Sequence, residues 1–276
     1  MARAWIGTSG YAYPHWSGPF YPRDLPESRW FEFYAARFDT VELNVTFYRL
    51  PQASAFEGWT RRAPRAFRFV IKGSRYITHV KRLSDTRDAI ATLFDRAGAL
   101  RSRLTCVLWQ LPPRFAARPD RLAAFLNDLS GCEAARRTRH AFEFRDASWF
   151  TEPVYDLLRR ANAAIVISDY PFEVIPAGMR SRSLGRPVVR VPDTARFAYL
   201  RRHGPGAVYG SDYPERMVRS DARWIRRWVE AGKDAFVFYN NDYRGYATEN
   251  ARLLARLVGG HEGMKRSSAR KGKKGR

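Results

Sequence analysis

The sequence predicts an α/β protein built as a single (β/α)₈ TIM-type barrel. Eight short segments rich in β-branched and aromatic residues recur along the 276-residue chain, and helical patterns separate most of them. No linker interrupts this alternation, which favours parallel strands in one domain. The alternative is an open doubly wound sheet. It is disfavoured because no GxGxxG follows the first strand and no GxxxxGK[ST] occurs anywhere.

The chain begins with a predicted strand at residues 4–9, followed by a long β1–α1 loop that four prolines interrupt. Loops of this length without secondary structure are uncommon and are often functional. The loop is therefore either part of a functional site or an aromatic cover over one end of the barrel. It contains the aromatic residues Tyr11, Tyr13, Trp16, Phe20 and Tyr21. A helix is predicted next, at residues 30–38.

Residues 40–51, TVELNVTFYRLP, read as the second strand and are the centre of the functional argument. Val41, Leu43 and Val45 alternate with polar residues, so one face is apolar and the other carries Glu42 and Asn44. A solvent-facing polar row would explain one such strand. The same design recurs in later strands, with charged or amide residues toward the C-terminal end, and this predicts that the strand ends converge on one site.

The rest of the chain repeats the strand–helix alternation. Further strands are predicted at residues 67–72, 104–111, 140–145, 164–169, 197–203 and 235–241. Helices are predicted at residues 53–62, 86–100, 121–129, 152–161, 220–231 and 248–258. Residues 73–83 read as a basic loop that contains His79. The region after strand six, residues 170–194, is irregular and leaves the sixth helix unassigned.

The chain is strongly basic, with a formal net charge of +22. We place the barrel domain at residues 1–258 and predict a disordered basic tail at residues 259–276, because the tail cannot bury apolar area. Seven cations lie in the last twelve positions, so the remainder still carries 22 − 7 = +15. This balance predicts an anionic partner, either a small molecule or a nucleic acid.

Location and redox state follow from absent signals. No run approaches 18 apolar residues and the N-terminus lacks a signal-peptide core, so we expect a cytoplasmic protein without membrane contact. The two cysteines, Cys106 and Cys132, form neither a disulfide framework nor metal-ligand spacing, and we expect both to be reduced. The sequence gives no oligomeric state.

Alternation along the strands selects the candidate site, because inward positions near strand C-termini face the mouth of a barrel. If the apolar residues of strand two point toward the helices, one parity rule collects two carboxylates, two guanidiniums, an ammonium, two amides and an imidazole. These are Glu42, Asn44, Lys72, Gln110, Glu143, Arg145, Arg201 and His203. Strand eight is ambiguous, so Asn240 and Asn241 both stay candidates. Asp169 is either a mouth residue or a helix cap.

Each candidate also has a structural interpretation. Glu42 with Lys72, and Glu143 with Arg145, are also explained as ion pairs that neutralise one another inside the barrel. His79 and His203 are also explained as hydrogen-bonded structural residues. No cofactor is predicted. A divalent-metal site could be assembled from the histidines and carboxylates, but the neighbouring cations favour an anion instead, and HExxH, paired CxxC and GxSxG motifs are absent.

Several segments together form a specific pattern: IGTSGY at 6–11, GPFYP at 18–22, FYAARFDTVELNVTFYRLP at 33–51, FRFVIKGSRYITH at 67–79, QLPPRF at 110–115, FEFRDASWF at 142–150, LRRHG at 200–204 and YNND at 239–242. In order and spacing, over about residues 6–257, they resemble the YecE-like family, also called domain of unknown function 72. The resemblance implies a TIM-type barrel but no reaction. It emphasises Thr8, Ser9, Glu42, Asn44, Thr46, Tyr48, Lys72, His79, Gln110, Glu143, Arg145, Trp149, Asp169, Arg201, His203, Asn240 and Asn241. The chain departs from the family pattern in LRRHG, in the irregular region at 170–194 and in the basic tail.

Three functional hypotheses follow. The first is an enzyme, for example a hydrolase, that acts on a phosphate-bearing or otherwise anionic substrate. In it Glu42 or Glu143 is the general acid/base, His203 relays or orients a proton, and Lys72, Arg145 and Arg201 bind the anion. The second is a nucleic-acid-binding protein without catalysis, in which Trp16, Tyr21 and Trp149 stack on bases. The third, a glycosidase with Glu42 and Glu143 as its carboxylate pair, requires an unpaired acid and ranks last.

Overall fold

The computed structural model describes residues 1–170, 180–181, 188–189 and 191–271, with side chains described for residues 1–170 and 191–259. Eight parallel strands form a nearly closed barrel with alternating helices, which confirms the predicted fold class. The strands are β1 (Ala4–Thr8), β2 (Thr40–Leu43), β3 (Arg68–Lys72), β4 (Leu104–Gln110), β5 (Arg139–Glu143), β6 (Ala164–Ser168), β7 (Phe197–Arg202) and β8 (Asp234–Tyr239). Their order around the barrel is β1-β8-β7-β6-β5-β4-β3-β2.

Helices follow the strands, and most of them cover the outside of the barrel. They are α1 (Trp30–Ala35), α2 (Val45–Tyr48), α3 (Ala53–Arg62), α4 (Arg87–Ala97), α5 (Pro119–Gly131), α6 (Glu133–Arg136), α7 (Glu152–Arg160), α8 (Glu215–Glu230) and α9 (Tyr246–Lys271). Most turn one apolar face to the sheet, as Val154, Tyr155 and Leu158 do in α7.

Strand parity divides the core into two layers. The barrel interior is filled by one set of alternate residues: Val70, Cys106, Leu108, Ala141, Ala164, Val166, Phe197, Tyr199, Phe236 and Phe238. The larger cluster lies between the strands and the helices. Polar side chains that point into the barrel near the strand C-termini therefore lie next to this apolar interior. An unpaired charge is costly in such a place.

The barrel closes between β1 and β2 through close backbone contact. Ser9 and Glu42 form an isolated parallel bridge, and the Gly10 N–H donates to the Glu42 carbonyl at 2.7 Å. Gly7 permits this approach, since a Cβ there would lie 2.5 Å from the carbonyl oxygen of Thr40. The first two strands thus meet where the site begins.

Several predicted elements differ from the structure. The predicted strand at residues 40–51 is wrong beyond Leu43, because the chain turns into the short helix α2. Asn44 therefore reaches the mouth from the start of a helix and not by strand alternation. The basic loop at 73–83 is also wrong in part, since Tyr76–Val80 form a π-helical turn. Helix α8 begins five residues before the predicted start, at Glu215.

The long loop after β1 contains two 3-10 turns, Pro14–Trp16 and Glu27–Arg29. Trp16, Phe20 and Tyr21 are buried in it, as an aromatic cover requires. Tyr11 and Tyr13 instead line a cavity, so part of the loop is not cover, and its functional role stays a prediction.

Most of the irregular region lies outside the described residues, and so does the unassigned sixth helix. Of residues 171–190, only the paired strands Arg180–Ser181 and Val188–Val189 are described. Helix α9 runs to Lys271, past the predicted domain boundary at 258, and that boundary and the disorder of the tail remain predictions. Among the described helices, none combines the length and apolar composition that a bilayer crossing requires.

Candidate functional site at the barrel mouth

Arg201 is the hub of the polar cluster at the C-terminal ends of the strands. Its Nη2 donates to Oε1 of Glu42 at 2.7 Å, its Nε donates to Oε2 of the same carboxylate at 3.1 Å, and its Nη1 donates to Glu143. All three side chains are at most 1% exposed. A single guanidinium from β7 therefore joins carboxylates that come from β2 and β5.

The Glu42 carboxylate accepts hydrogen bonds at both of its oxygens. Besides Arg201, its carboxylate accepts hydrogen bonds from the hydroxyls of Ser9, at 2.6 Å, and Tyr199. Burial raises the pKa of Tyr199 well above its ordinary value, with the nearby Glu42 charge adding to the effect. Tyr199 therefore stays a neutral donor.

Glu143 lies between Arg145 and His203. Its Oε1 accepts from Nε and Nη2 of Arg145 at 3.1 and 3.0 Å and lies 3.2 Å from Nε2 of His203. Nδ2 of Asn240 lies 3.0 Å from Nδ1 of His203. Because the amide nitrogen can only donate, these two contacts assign Nδ1 as the acceptor and Nε2 as the donor to Glu143, while the donor Nη1 of Arg201 also lies 3.4 Å from Nε2.

The electrostatics of this cluster fix its protonation states. Burial raises the pKa of Glu143, but the charges of Arg201 and Arg145 outweigh it and hold the pKa well below the usual range. Burial lowers the pKa of His203, so the imidazole is neutral near pH 7. Glu143 is thus ionised near neutral pH, and a carboxylate with a lowered pKa is a weak general base.

Lys72 is the exception to this pairing. Its side chain ends β3, is 8% exposed, and makes no hydrogen bond or ion pair with any residue that the structure describes. Its Nζ lies 4.0 Å from the centre of the Phe47 ring. Burial first, and then the charges of Arg201 and Arg145, lower the pKa of Lys72 to about 7, although Glu143 and Glu42 act in the opposite direction.

The pKa of His79 indicates that positive charge is concentrated on the same side of the mouth. It follows β3 in the π-helical turn and packs on Phe47, with ring centres 4.9 Å apart. Burial, followed by the charges of Lys72, Arg75, Arg145 and Arg82 in that order, lowers its pKa to about 4. Arg75 and Arg82 are exposed, so this potential faces solvent.

A cavity of about 480 Å³ opens at the mouth, and Lys72 and Asn240 form part of its wall. The remaining wall comes mainly from the first loop, α2 and the loop after β7. The lining residues include Tyr11, Tyr13, Asn44, Tyr48 and Tyr209. The buried Oδ1 of Asn44 has no hydrogen-bond partner among the described residues.

A second cavity, of about 960 Å³, lies at the opposite ends of β4 and β5, where Arg101, Arg136, Arg137 and Arg139 contribute to its lining. It is larger, but it opens at the N-terminal ends of the strands. Functional groups of β/α barrels gather at the C-terminal ends. Geometry and chemistry therefore favour the mouth cavity as the candidate site.

A second buried ion pair lies between β7 and helix α8, on the outer side of the strand. The Arg202 side chain, of opposite parity to Arg201, bonds Asp221 on α8. Asp169 accepts from the backbone N–H of His203 at 2.7 Å and from the Tyr213 hydroxyl. Asp169 therefore fixes the backbone of His203, and does not itself line the cavity.

Other predicted residues lie outside the ion-paired cluster. Thr8 donates to the Gly10 carbonyl at 2.6 Å, Gln110 is buried with its amide 3.3 Å from the Leu111 carbonyl, and Tyr48 is 78% exposed at the cavity edge. The ambiguity of strand eight is resolved by the packing. Asn240 shares the interior parity of Phe236 and Phe238, and Asn241 bonds Asn250 on α9.

Two predicted roles conflict with burial. Trp16, Tyr21 and Trp149 are fully buried, so they cannot serve as exposed stacking platforms. Trp149 instead donates to the Phe115 carbonyl at 2.6 Å and stacks on Phe144. The glycosidase hypothesis required an unpaired acid, whereas both carboxylates are ion-paired.

Sequence reasoning missed three tyrosines of the site. Tyr199 precedes Arg201 by two residues, so the parity rule contained the signal for it. Tyr170 packs on Arg145, with the guanidinium carbon 3.7 Å from the ring centre, and Tyr209 packs on His203. These two come from loops, whose positions strand alternation does not predict. Among the described residues, no three His, Cys, Asp or Glu side chains are grouped so that they could hold a metal ion.

Together, the fold and the site define a β/α-barrel protein whose mouth contains an ion-paired acid and arginine cluster beside an unpaired lysine. The sequence profile described as "Protein of unknown function DUF72" matches residues 5–273, and the chain belongs to this family. It is 24% identical to the UPF0759 protein YunF of Bacillus subtilis (strain 168) over 272 residues, covering 92% of this chain and 94% of the relative.

Solved structures agree with this assignment. A DUF72 family protein from Thermotoga maritima MSB8 superposes with a TM-score of 0.72 at 26% identity, over 93% of this chain and 99% of the other. A DUF72 family protein from Enterococcus faecalis V583 has the same TM-score at 20% identity, over 94% and 95% of the two chains. The second likeness shows the fold alone.

Proposed function

We propose that this protein is an enzyme that acts on a phosphate-bearing or otherwise anionic substrate in the mouth cavity by acid/base chemistry. The observation that carries the proposal is the arrangement of charge. Each carboxylate of the cluster is neutralised by arginine, while Lys72 and the exposed Arg75 and Arg82 add positive charge on the β3 side of the mouth. A bound anion completes this balance.

The contacts in the structure favour different roles for the site residues from those that the sequence predicts. Arg201 directs its donors to Glu42, Glu143 and Ser9, so it organises the site and does not bind the anion. Both carboxylates are likewise engaged, and His203 has partners at both ring nitrogens. Lys72 is then the group that loses and regains a proton in the reaction, because its pKa of about 7 suits proton transfer near neutral pH.

The anion is received on the β3 side of the mouth. Nη1 of Arg145 makes no hydrogen bond with any described residue, and its side chain is 7% exposed. Arg75 and Arg82, in the segment after β3, act with Arg145 to lower the pKa of His79, so their positive charges reach the same side of the mouth. We further propose that the protein acts in the cytoplasm. Nucleic acid remains a second candidate partner, favoured by the net charge of +22.

Isothermal titration calorimetry with ribose 5-phosphate and inorganic phosphate tests the proposal. We expect the double variant Arg75→Ala/Arg82→Ala to bind about tenfold or more weakly, because each arginine removes a charge-assisted contact. Arg65→Ala is the matched control, since this exposed arginine precedes β3 at the opposite end of the strand. Equal affinities in all three proteins, or no binding to the wild type, would overturn the proposal.

A further inference from the structure

The choice of lysine at position 72 is unusual for this chain. Residues 1–259 contain 39 arginines and three lysines. The other two, Lys81 and Lys233, are ion-paired at the surface with Asp85 and Asp193. Arginine stays charged throughout the accessible pH range, whereas lysine can give up its proton and expose a nucleophilic lone pair. A lysine at the mouth of an otherwise arginine-rich protein therefore has a chemical property that its neighbours lack.

The geometry around Lys72 suits that property. The amine has no acid partner within ion-pair distance among the described residues, rests against the Phe47 ring and opens into a cavity that can hold a small molecule. The cluster of Arg201 with Glu42 and Glu143 lies beside it. Burial, together with the positive charges of Arg201 and Arg145, favours the neutral amine.

The cavity wall has the groups that a polyhydroxylated ligand requires. Tyr11, Tyr13 and Tyr209 contribute phenol groups to the lining, and Asn44 and Asn240 contribute amides. The Tyr11 hydroxyl accepts from Nε1 of Trp59 at 2.9 Å, so its own proton can be donated to a substrate oxygen. Such groups orient a sugar-like chain between the amine and the cationic rim.

We propose that Lys72 is a nucleophile that forms an iminium ion with the carbonyl carbon of a sugar phosphate or a similar anionic aldehyde or ketone. This inference rests on the proposed function and names its substrate class. The Nζ lone pair attacks the carbonyl carbon, an N–C bond forms, and a proton moves from nitrogen to oxygen to give a carbinolamine. With one further proton from solvent, the hydroxyl leaves as water and the C=N bond forms. No oxidant or reductant is needed.

Reductive trapping tests the inference. The full-length protein is incubated with ribose 5-phosphate or pyruvate and sodium borohydride, which delivers hydride to the iminium carbon and makes the adduct permanent. Peptide mass spectrometry then locates the label. We expect the label at Lys72, formed at least about tenfold faster at pH 7 than at Lys233, because the pKa of Lys72 is lowered to about 7, whereas the Lys233 amine is ion-paired with Asp193. The two probes distinguish a phosphate from a carboxylate as the anion.

Variants and pH sharpen the test. Lys72→Arg keeps the charge but cannot form a reducible imine, so we expect loss of the label with binding of ribitol 5-phosphate, which has no carbonyl, retained. Lys233→Arg, at the other end of the barrel, should label as the wild type does. Labelling should rise with pH between 6 and 8 as Lys72 loses its proton, in the field of Arg201, Arg145, Glu143, Glu42 and His79.

The outcomes separate the two proposals. Binding of the sugar phosphates without a label at Lys72, or a label spread over all lysines, would overturn the nucleophile while leaving the anion site intact. No binding of any probe would overturn both. Circular dichroism of Lys72→Arg, together with Lys72→Met as a second variant, distinguishes loss of the nucleophile from loss of the fold.

Discussion

At the scale of single residues, the mouth shows how a barrel tolerates buried charge. Glu42 and Glu143 are at most 1% exposed, and each is matched by a guanidinium and further donors, which is the usual condition for burying a carboxylate. Lys72 breaks this rule. Among the described residues, only the Phe47 ring is a close partner of its buried ammonium, so the folded state carries an electrostatic cost at this residue.

The cost predicts how stability depends on pH. The pKa of Lys72 falls from 10.5 to about 7 on folding, so the unfolded chain holds more protons between these values. The penalty is complete below pH 7 and is relieved as the pH rises toward 10.5. We expect Lys72→Met to be more stable than the wild type at pH 6, by up to about 5 kcal/mol, with the gap narrowing toward pH 10.

Urea unfolding at pH 6, 8 and 10, followed by tryptophan fluorescence, measures this gap. Lys72→Arg is the control, because arginine keeps its charge and cannot be relieved by raising the pH. A gap between Lys72→Met and the wild type that stays constant across the range would show that burial does not shift this lysine.

At the scale of elements, the site depends on where strands end. β2 ends at Leu43, so Glu42 lies at the last inward-facing position and bridges to Ser9 after β1. The hydrophobic alternation of residues 40–51 continues past this point as an amphipathic pattern that α2 also satisfies. Four residues are too few for periodicity to distinguish the two structures, and the contact of Thr46 with the Leu43 and Lys72 carbonyls decides for the helix.

The closure of β1 on β2 gives a prediction at this scale. Gly7→Ala places a methyl group 2.5 Å from the Thr40 carbonyl oxygen, so the strands must separate. We expect a decrease of about 1–3 kcal/mol in the free energy of unfolding. Gly58→Ala in α3 is the matched control, since nothing lies within 4 Å of its Cβ and alanine favours a helix by about 0.5–1 kcal/mol. A destabilised control together with an unaffected Gly7→Ala would contradict the account of closure.

At the scale of the whole molecule, the dominant feature is positive charge. The folded part is basic in its own right, and the chain after Gly260 adds seven cations against the single acid Glu262. With Trp16, Tyr21 and Trp149 buried, any affinity for nucleic acid has to come from phosphate contacts and not from stacking on these rings.

This charge predicts salt-dependent binding to which the tail contributes. We expect the affinity for a labelled single-stranded DNA to fall steeply with NaCl. Deletion of residues 261–276 should make the slope of log K against log salt shallower, by about 0.7 for each phosphate that the tail neutralises. Fluorescence anisotropy between 50 and 300 mM NaCl measures the slope. A full-length variant with its seven tail cations changed to glutamine should match the deletion. An affinity that does not change with NaCl concentration would exclude nucleic acid as a partner.

The sequence by itself determined the barrel and most of its polar mouth, because strand alternation is a local property and parallel strand ends share one rim. That property was enough to place Glu42, Lys72, Glu143 and Arg201 together. Only the tertiary structure decided which of their charges are paired. Whether a buried charge finds a partner depends on distances between residues more than a hundred positions apart, such as Arg201 and Glu42. At those distances both carboxylates are ion-paired with arginine. Lys72 is the amine without an ion-pair partner among the described mouth residues.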